Sequence, residues 1–374
     1  MTDLASPTRA EIDLGAIRHN ARTLLALAGP ADVLGVVKAN AYGHGAVAVT
    51  RALQEEGIGR FAVATVPEGI ELREAGIDAP ILVFAAPLPD ALPAYARHAL
   101  AVTVSSREVA ETVAAFAETT GPLRAHVQVD TGMHRLGLRP DDLTDTVRLL
   151  TDAPGVEVDA VWTHFATADG DLGYARQQHE DFRALVDRLG SLRPPLVHAS
   201  NGPFLLRCPA DAARPGTLVR CGGVLYGLAS SRELRPALQA ADLRPAMRLT
   251  TRVVHLQTVQ AGESVSYGRL WTAPGSRRIA TLPLGYADGL PRTLTNRGHA
   301  GLHGRLFPIA GRVCMDMLMV DLGPPEGAAA TVSLGDEAVL FGSGGPDIQD
   351  QAEAAGTMPY EMTCALSPRV PRVS

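Results

Sequence analysis

The chain has 374 residues, 46% apolar and 20% charged, which is enough for one large barrel plus a smaller module around a sizeable core. Its net charge of −6 excludes electrostatic recruitment to nucleic acid or to an anionic membrane. No stretch approaches the roughly 18 uncharged apolar residues of a membrane span, residues 1–13 lack the apolar centre of a signal peptide, and Cys208, Cys221, Cys314 and Cys364 have no paired spacing. The expected setting is therefore the cytoplasm, with reduced thiols.

In chain order, short β-branched or apolar runs alternate with longer helical segments. The expected strands are Val33–Lys38, Phe61–Thr65, Ile81–Ala85, Ala101–Val104, Ala125–Asp130, Ala160–His164, Leu196–Ala199 and Val219–Val224. Between them lie predicted helices such as Arg107–Glu118, with apolar Val109, Val113 and Phe116, and Leu172–Leu189. Parallel neighbours need crossovers, so eight such units imply a closed (β/α)8 TIM-like barrel. After about residue 236 the pattern changes. The runs Leu249–Thr258, Arg278–Pro283 and Cys314–Val320 are separated by Gly- and Pro-containing turns, as in a mostly β module. The expected domains are 1–236 and 237–374, with residues 1–10 open to pairing with the second.

Active sites of such barrels sit at the C-terminal ends of the strands. Lys38, Asp130 with Thr131–Arg135, His164 and Asn201 all fall there, and Arg220 lies inside the eighth strand. A charge within an apolar strand is costly to bury without partners. Singly, a snorkelling Lys and a salt-bridged Arg would serve as explanations; a ring of polar residues at successive strand ends points to a site. Other motifs lead nowhere. Asp130-Thr131-Gly132 has no second copy to share a proton with, as an aspartic protease requires. Gly342-Ser343-Gly344-Gly345 lacks the Lys-Ser/Thr of a phosphate loop and reads as a turn. The 11 histidines show no metal-ligand spacing, and His44 between glycines reads as structural.

Taken together, the ordered blocks resemble the alanine racemase family. They are Val36-Val37-Lys38-Ala39-Asn40-Ala41-Tyr42-Gly43-His44-Gly45, Asp130-Thr131-Gly132-Met133-His134-Arg135-Leu136-Gly137, Thr163-His164-Phe165-Ala166, and Arg220 with Tyr226-Gly227-Leu228. Beyond the barrel follow Ser266-Tyr267-Gly268, Leu284-Gly285-Tyr286-Ala287-Asp288-Gly289, Gly311-Arg312-Val313-Cys314-Met315-Asp316, Pro359-Tyr360-Glu361 and Arg369-Val370-Pro371-Arg372. The set spans nearly the whole chain.

The resemblance implies two-base racemisation of L- and D-alanine with pyridoxal 5′-phosphate, supplying D-alanine for peptidoglycan. Such a cofactor is anchored by an amine, which among side chains only Lys supplies; the family places this on Lys38. Tyr267 is then the base on the opposite face, contributed by the partner subunit of a homodimer. An unperturbed Tyr titrates near 10, so neighbouring cations such as Arg135 would have to favour its phenolate. The resemblance puts Arg220 at the pyridine nitrogen, oriented by His164. A guanidinium donates only, which weakens the electron sink and suppresses transamination. Tyr42, Tyr360, Gly222, Gly223 and the Asn201–Gly202 turn would surround the phosphate. Arg135 and the partner's Met315 amide would meet the substrate carboxylate. Tyr286 and Tyr360 would gate the entrance, and Asp316 would support local structure.

Two positions depart from the family pattern. Gly202 stands where Ser is common, removing a hydroxyl. Gln128 stands where many members have a Lys that becomes carbamylated beside Arg135; a neutral amide contact, a bound anion or an ordered water is expected instead. A same-fold amino-acid decarboxylase, a racemase of serine or another small amino acid, and a non-catalytic cofactor-binding protein are the alternatives.

Overall fold

The computed structural model describes residues 6–374 and divides into two units: residues 15–227 with 231–244, and the described residues up to Leu14 with 228–230 and 245–374. β1 (Arg9–Ile12) belongs to the second unit. The first unit is built on eight parallel strands: β2 (Asp32–Val36), β3 (Arg60–Val63), β4 (Ile81–Val83), β5 (Leu100–Val104), β6 (Leu123–Gln128), β7 (Val156–Trp162), β8 (Leu196–His198) and β9 (Leu218–Cys221). Their order is β8-β7-β6-β5-β4-β3-β2-β9, and bridges Val197 to Thr217 and Asn201 to Arg220 join β8 to β9, closing the barrel. The eight apolar runs thus become eight strands because each is covered on both faces, by the barrel interior and by helices. Most end one or more residues earlier than their sequence pattern suggested, so Lys38, Asp130 and His164 leave from loops just past the strands.

The two halves of the barrel interior differ. Leu34, Val36, Ala62, Leu82 and Ala101 form an apolar cluster on the β2–β5 side. Strands β6–β9 instead turn His126, Gln128, Trp162, His198 and Arg220 into the same space, since alternate residues share a face. Register sets Gln128 opposite Trp162 and Trp162 opposite His198.

The outer helices are stopped and started locally. Helix Arg107–Thr119 begins where Ser106 Oγ accepts from Val109 N at 3.2 Å, and Leu172–Arg188 where Asp171 accepts from Gly173 N at 2.9 Å. In the first, the buried stripe is Ala110, Val113 and Ala117; Val109 and Phe116, expected inside, flank it half-buried. Small residues let this helix lie close to its neighbours. No helix among the described residues is long and apolar enough to cross a membrane.

The second unit is mostly β. Its further strands are β10 (Met247–Arg252), β11 (His255–Val259), β12 (Ser264–Val265), β13 (Trp271–Thr272), β14 (Arg277–Leu282), β15 (His299–Leu302), β16 (Arg305–Pro308), β17 (Leu318–Gly323), β18 (Glu337–Phe341) and β19 (Arg372–Val373). A six-stranded sheet runs β16-β15-β18-β10-β1-β19, beside a β11-β14-β17 sheet and the β12-β13 pair. β1 pairs antiparallel with β10 and parallel with β19, and Thr8 Oγ1 lies 2.8 Å from Thr251 Oγ1.

Two expectations are corrected here. The run 249–258 is two strands, because the chain leaves the large sheet at Val253 and enters the three-stranded one at His255. Within 314–320 only the end is strand; Cys314 N bonds Met317 O at 2.9 Å, which makes residues 314–317 a tight turn.

Candidate active site

Lys38 opens a turn that few sequences tolerate. The four residues after it, Ala39, Asn40, Ala41 and Tyr42, all have φ between 52° and 53°, a left-handed conformation without a glycine. Each such residue costs on the order of 1–2 kcal/mol, so the turn persists only because its surroundings hold it. Glu68 does most of this. Its Oε1 accepts from Ala39 N at 2.7 Å, and its Oε2 from Ala64 N at 2.7 Å and Thr65 N at 3.0 Å. One carboxylate therefore caps helix Val66–Glu74 and clamps the backbone beside Lys38. Asn40 Oδ1 takes Ala46 N at 2.8 Å, and the Tyr226 ring packs on both His44 and Tyr42 while its hydroxyl donates to Val36 O at 2.9 Å. His44 is thus part of the support for Tyr42. Lys38 Nζ sits 6.0 Å from the centre of the Phe84 ring.

Across the interior, Arg220 is 3% exposed and has no carboxylate partner among the described residues. Nη1 donates to His198 O at 2.8 Å and His198 Nδ1 at 3.1 Å. Nη2 donates to Ala199 O at 2.8 Å, Thr163 O at 2.9 Å and His164 Nδ1 at 3.2 Å. Both terminal nitrogens are spent, and Nε–H is the donor left over. Burial, reinforced by Arg135, pushes the guanidinium down to about 9, so it stays charged at neutral pH. Because it only donates, His164 must accept at Nδ1 and carry its proton at Nε2. Burial, then Arg220, Arg135 and Lys38, hold His164 well below its usual range, hence neutral. The Trp162 ring lies 5.1 Å from the guanidinium carbon.

Arg135 stands on a loop organised by Asp130, whose Oδ1 accepts from the amides of Gly132, Met133 and His134 at 2.9, 3.0 and 3.1 Å. Asp130 is therefore a loop organiser. Gln128 is buried below, its Nε2 donating to Leu136 O at 3.0 Å and its Oε1 left without a partner among the described residues. The open atom is an acceptor. Its lone pairs suit a guanidinium or a water proton, while Nε2 has a second hydrogen that could meet an anion.

The remaining barrel residues form the turns after β8 and β9. Asn201 Oδ1 accepts from Phe204 N at 3.0 Å and caps the short helix Gly202–Arg207, so its side chain is committed locally. A Cβ on Gly202 would meet Val224 Cγ2 at 2.3 Å, which is why a serine here would displace a neighbour. A Cβ on Gly222 would stand 2.5 Å from the Tyr42 hydroxyl; glycine lets that hydroxyl approach the backbone of the Gly222–Gly223 turn.

In the second unit, Tyr267 follows Ser266, itself at φ 69°, and is 70% exposed. Ser266 Oγ donates to Arg312 O at 2.7 Å, while Tyr286 N and Ala287 N bond Cys314 O and Met315 O, each at 3.0 Å. The loops carrying Tyr267, Tyr286 and Met315 are thereby tied together. Arg369 bridges Asp316 at 2.8 Å and Asp288 at 3.3 Å. Tyr360 lies in helix Pro359–Cys364, with its hydroxyl 3.5 Å from Leu228 O.

Sequence reasoning passed over Glu68, His126, Trp162 and His198. A signal existed for each: Thr65-Val66-Pro67-Glu68 is a capping box, and polar or bulky residues alternate inward along β6, β7 and β8.

A closed barrel with a lysine after its first strand and a charge-bearing last strand, followed in the chain by a β module, is the architecture of a class of pyridoxal-phosphate enzymes. The chain belongs to the alanine racemase family: residues 12–230 match the alanine racemase N-terminal domain and residues 246–374 the C-terminal domain. It is 41% identical to the alanine racemase of Cutibacterium acnes over 98% of this chain and 97% of that protein, and 38% identical to that of Chlorobaculum tepidum over 98% and 95%. Among solved structures it resembles alanine racemase of Clostridium difficile 630, with TM-score 0.91, 34% identity and coverage of 99% and 96%. It also resembles that of Bacillus anthracis with bound L-Ala-P, with TM-score 0.89, 34% identity and coverage of 99% and 95%.

Two predictions follow from the geometry. Glu68→Ala leaves three backbone amides without the carboxylate that accepts from them and should cost about 1–3 kcal/mol in urea unfolding, with kcat down about tenfold; unchanged kcat would mean the Lys38 turn holds itself. The second concerns acid. Burial pushes His126 down to about 3, with Arg60 and Arg124 adding, and lowers His164 and His198 well below 6.5. The unfolded chain therefore binds protons below pH 6.5 that the folded chain refuses. The associated stability is complete above about 6.5 and is lost as pH falls, at roughly 1.4 kcal/mol per pH unit per histidine. Urea midpoints measured from pH 7.5 to 5, above most carboxylate titration, should decline; a flat profile would contradict the neutral buried rings.

Proposed function

We propose the following division of labour for the reaction that the family assignment brings with it, the interconversion of L- and D-alanine with pyridoxal phosphate, which supplies D-alanine for peptidoglycan. The observation that carries it is Arg220: a buried guanidinium with no carboxylate beside it and one donor, Nε–H, unspent. That donor suits an unprotonated pyridine nitrogen. A decarboxylase would want an acidic group there. The Gly222 backbone, open to the Tyr42 hydroxyl, likewise suits a phosphate.

On this reading Lys38 anchors the cofactor, Tyr42, Tyr360, Gly222, Gly223 and the Asn201–Gly202 turn surround its phosphate, and Arg220, oriented by His164, faces its ring nitrogen. Pyridoxal phosphate, once bound, accepts the electrons left when the substrate Cα proton departs. The Lys38 amine takes or returns that proton on one face. The Tyr267 hydroxyl does so on the other. Arg135 fixes the substrate carboxylate together with the Met315 amide, and Tyr286 narrows the entrance to favour a methyl side chain.

The second base comes from a partner subunit. Tyr267, Leu270, Tyr286, Met315 and Met317 are all exposed on linked loops of one unit, a group of apolar side chains that suits an interface. A homodimer covers it and brings Tyr267 to the other barrel. The setting is the cytoplasm.

Borohydride treatment of the loaded protein followed by peptide mapping should place the cofactor's mass on Lys38; another lysine would remove the basis of the reading. Tyr267→Phe should cripple turnover of L-alanine far more than cofactor binding. Mixing the inactive Lys38→Ala and Tyr267→Phe proteins tests the shared site. Random exchange gives hybrids with one intact site each, so about a quarter of the wild-type activity should return. No recovery on demonstrated exchange would place both bases in one chain.

A further inference from the structure

The contacts of Arg220 continue through the barrel. His198 Nε2 lies 3.1 Å from His126 Nδ1, and His126 Nε2 lies 3.9 Å from Asp159 Oδ2. His126 is 5% exposed and His198 fully buried, and the Trp162 and His198 rings stack with an interplanar angle of 3°. Proton positions along this line follow from one fact, that a guanidinium donates only. His198 Nδ1 faces Arg220 Nη1, so it accepts and bears no proton. Neutral His198 then carries its proton at Nε2 and gives it to His126 Nδ1. His126 must in turn hold its proton at Nε2, on the side of Asp159. Beyond Asp159, at the N-terminal ends of the strands, is a cavity of about 420 Å³ whose lining includes Arg60, Arg124 and Glu157. The hydrogen-bonded line therefore runs from Arg220 through His198 to His126, whose Nε2 lies within ion-pair distance of Asp159 but beyond a direct hydrogen bond.

We propose that His126 and Asp159 are positioning residues for the reaction: they hold His198 in its Nε2–H tautomer, and so keep Arg220 Nη1 engaged and its Nε–H directed at the cofactor ring. The inference rests on the reading that Arg220 faces that ring. If His198 instead protonated Nδ1, that N–H would confront Arg220 Nη1–H, two donors without an acceptor, and the guanidinium would have to turn. His126 prevents this by offering an acceptor at Nδ1. Asp159 favours the matching tautomer of His126 by placing its carboxylate nearest Nε2.

The test compares three full-length loaded proteins labelled with 15N in the histidine rings. In the wild type, His198 should show a protonated Nε2 and a bare Nδ1; a protonated Nδ1 would overturn the proposal without recourse to any variant. His126→Asn keeps an acceptor in place of Nδ1, so the His198 tautomer and kcat should stay within about twofold of wild type. His126→Leu removes it. There the tautomer should become mixed, kcat should fall about tenfold with the KM for alanine little changed, and pyruvate, released as the amino group stays on the cofactor as pyridoxamine phosphate, should rise about tenfold per racemisation event, the change expected of one misplaced hydrogen bond. Equal damage in His126→Asn and His126→Leu, or no change in either, would overturn it. A wild-type protein that takes up no pyridoxal phosphate would sink the functional reading instead, while the ring shifts still report the tautomers.

Discussion

A guanidinium enclosed in the barrel is the constraint from which much of the rest follows. Arg220 cannot shed its charge at neutral pH, and an uncompensated buried charge would be prohibitive. The usual remedy, a carboxylate, is absent from its contacts among the described residues. Carbonyls of Thr163, His198 and Ala199 and two imidazole nitrogens solvate it instead. That choice explains why the strand ends of β7 and β8 turn their carbonyls inward and why His164 and His198 must stay neutral. It also leaves a cation facing the site with one donor free. Charge that is dispersed over carbonyl dipoles is held in direction as well as in place, which a single ion pair on a flexible side chain would not ensure.

The opposite wall depends on a different compromise. Four successive left-handed residues after Lys38 are unfavourable in any peptide, and the turn survives because Glu68, Asn40 and the Tyr226 ring supply contacts that only this arrangement satisfies. Strain at the lysine and desolvation at the arginine are both concentrated where the strands end. The apolar β2–β5 interior and the covering helices supply the stability that offsets them. The β module contributes a different kind of element: linked loops that hold Tyr267, Tyr286 and Met315 outward, tied by Arg369 to Asp288 and Asp316.

The sequence by itself determined the eight barrel strands and the passage to a mostly β module, and it singled out Lys38, Arg135, His164 and Arg220 as polar residues that need explaining. It could do so because apolar periodicity is local, and because a charge inside an apolar strand stands out wherever the strand ends up. Only the tertiary structure decided what those charges meet. The break of residues 249–258 into two strands depends on which sheet lies alongside, and adjacent β-forming residues do not record it. The reason for Gly202 is Val224, and the holder of the Lys38 turn is Glu68, thirty residues on. His126 and His198 looked like two of eleven scattered histidines; they meet because the barrel closes and the inward faces of β6 and β8 converge. A tautomer is set by partners across space, and sequence spacing carries no trace of it.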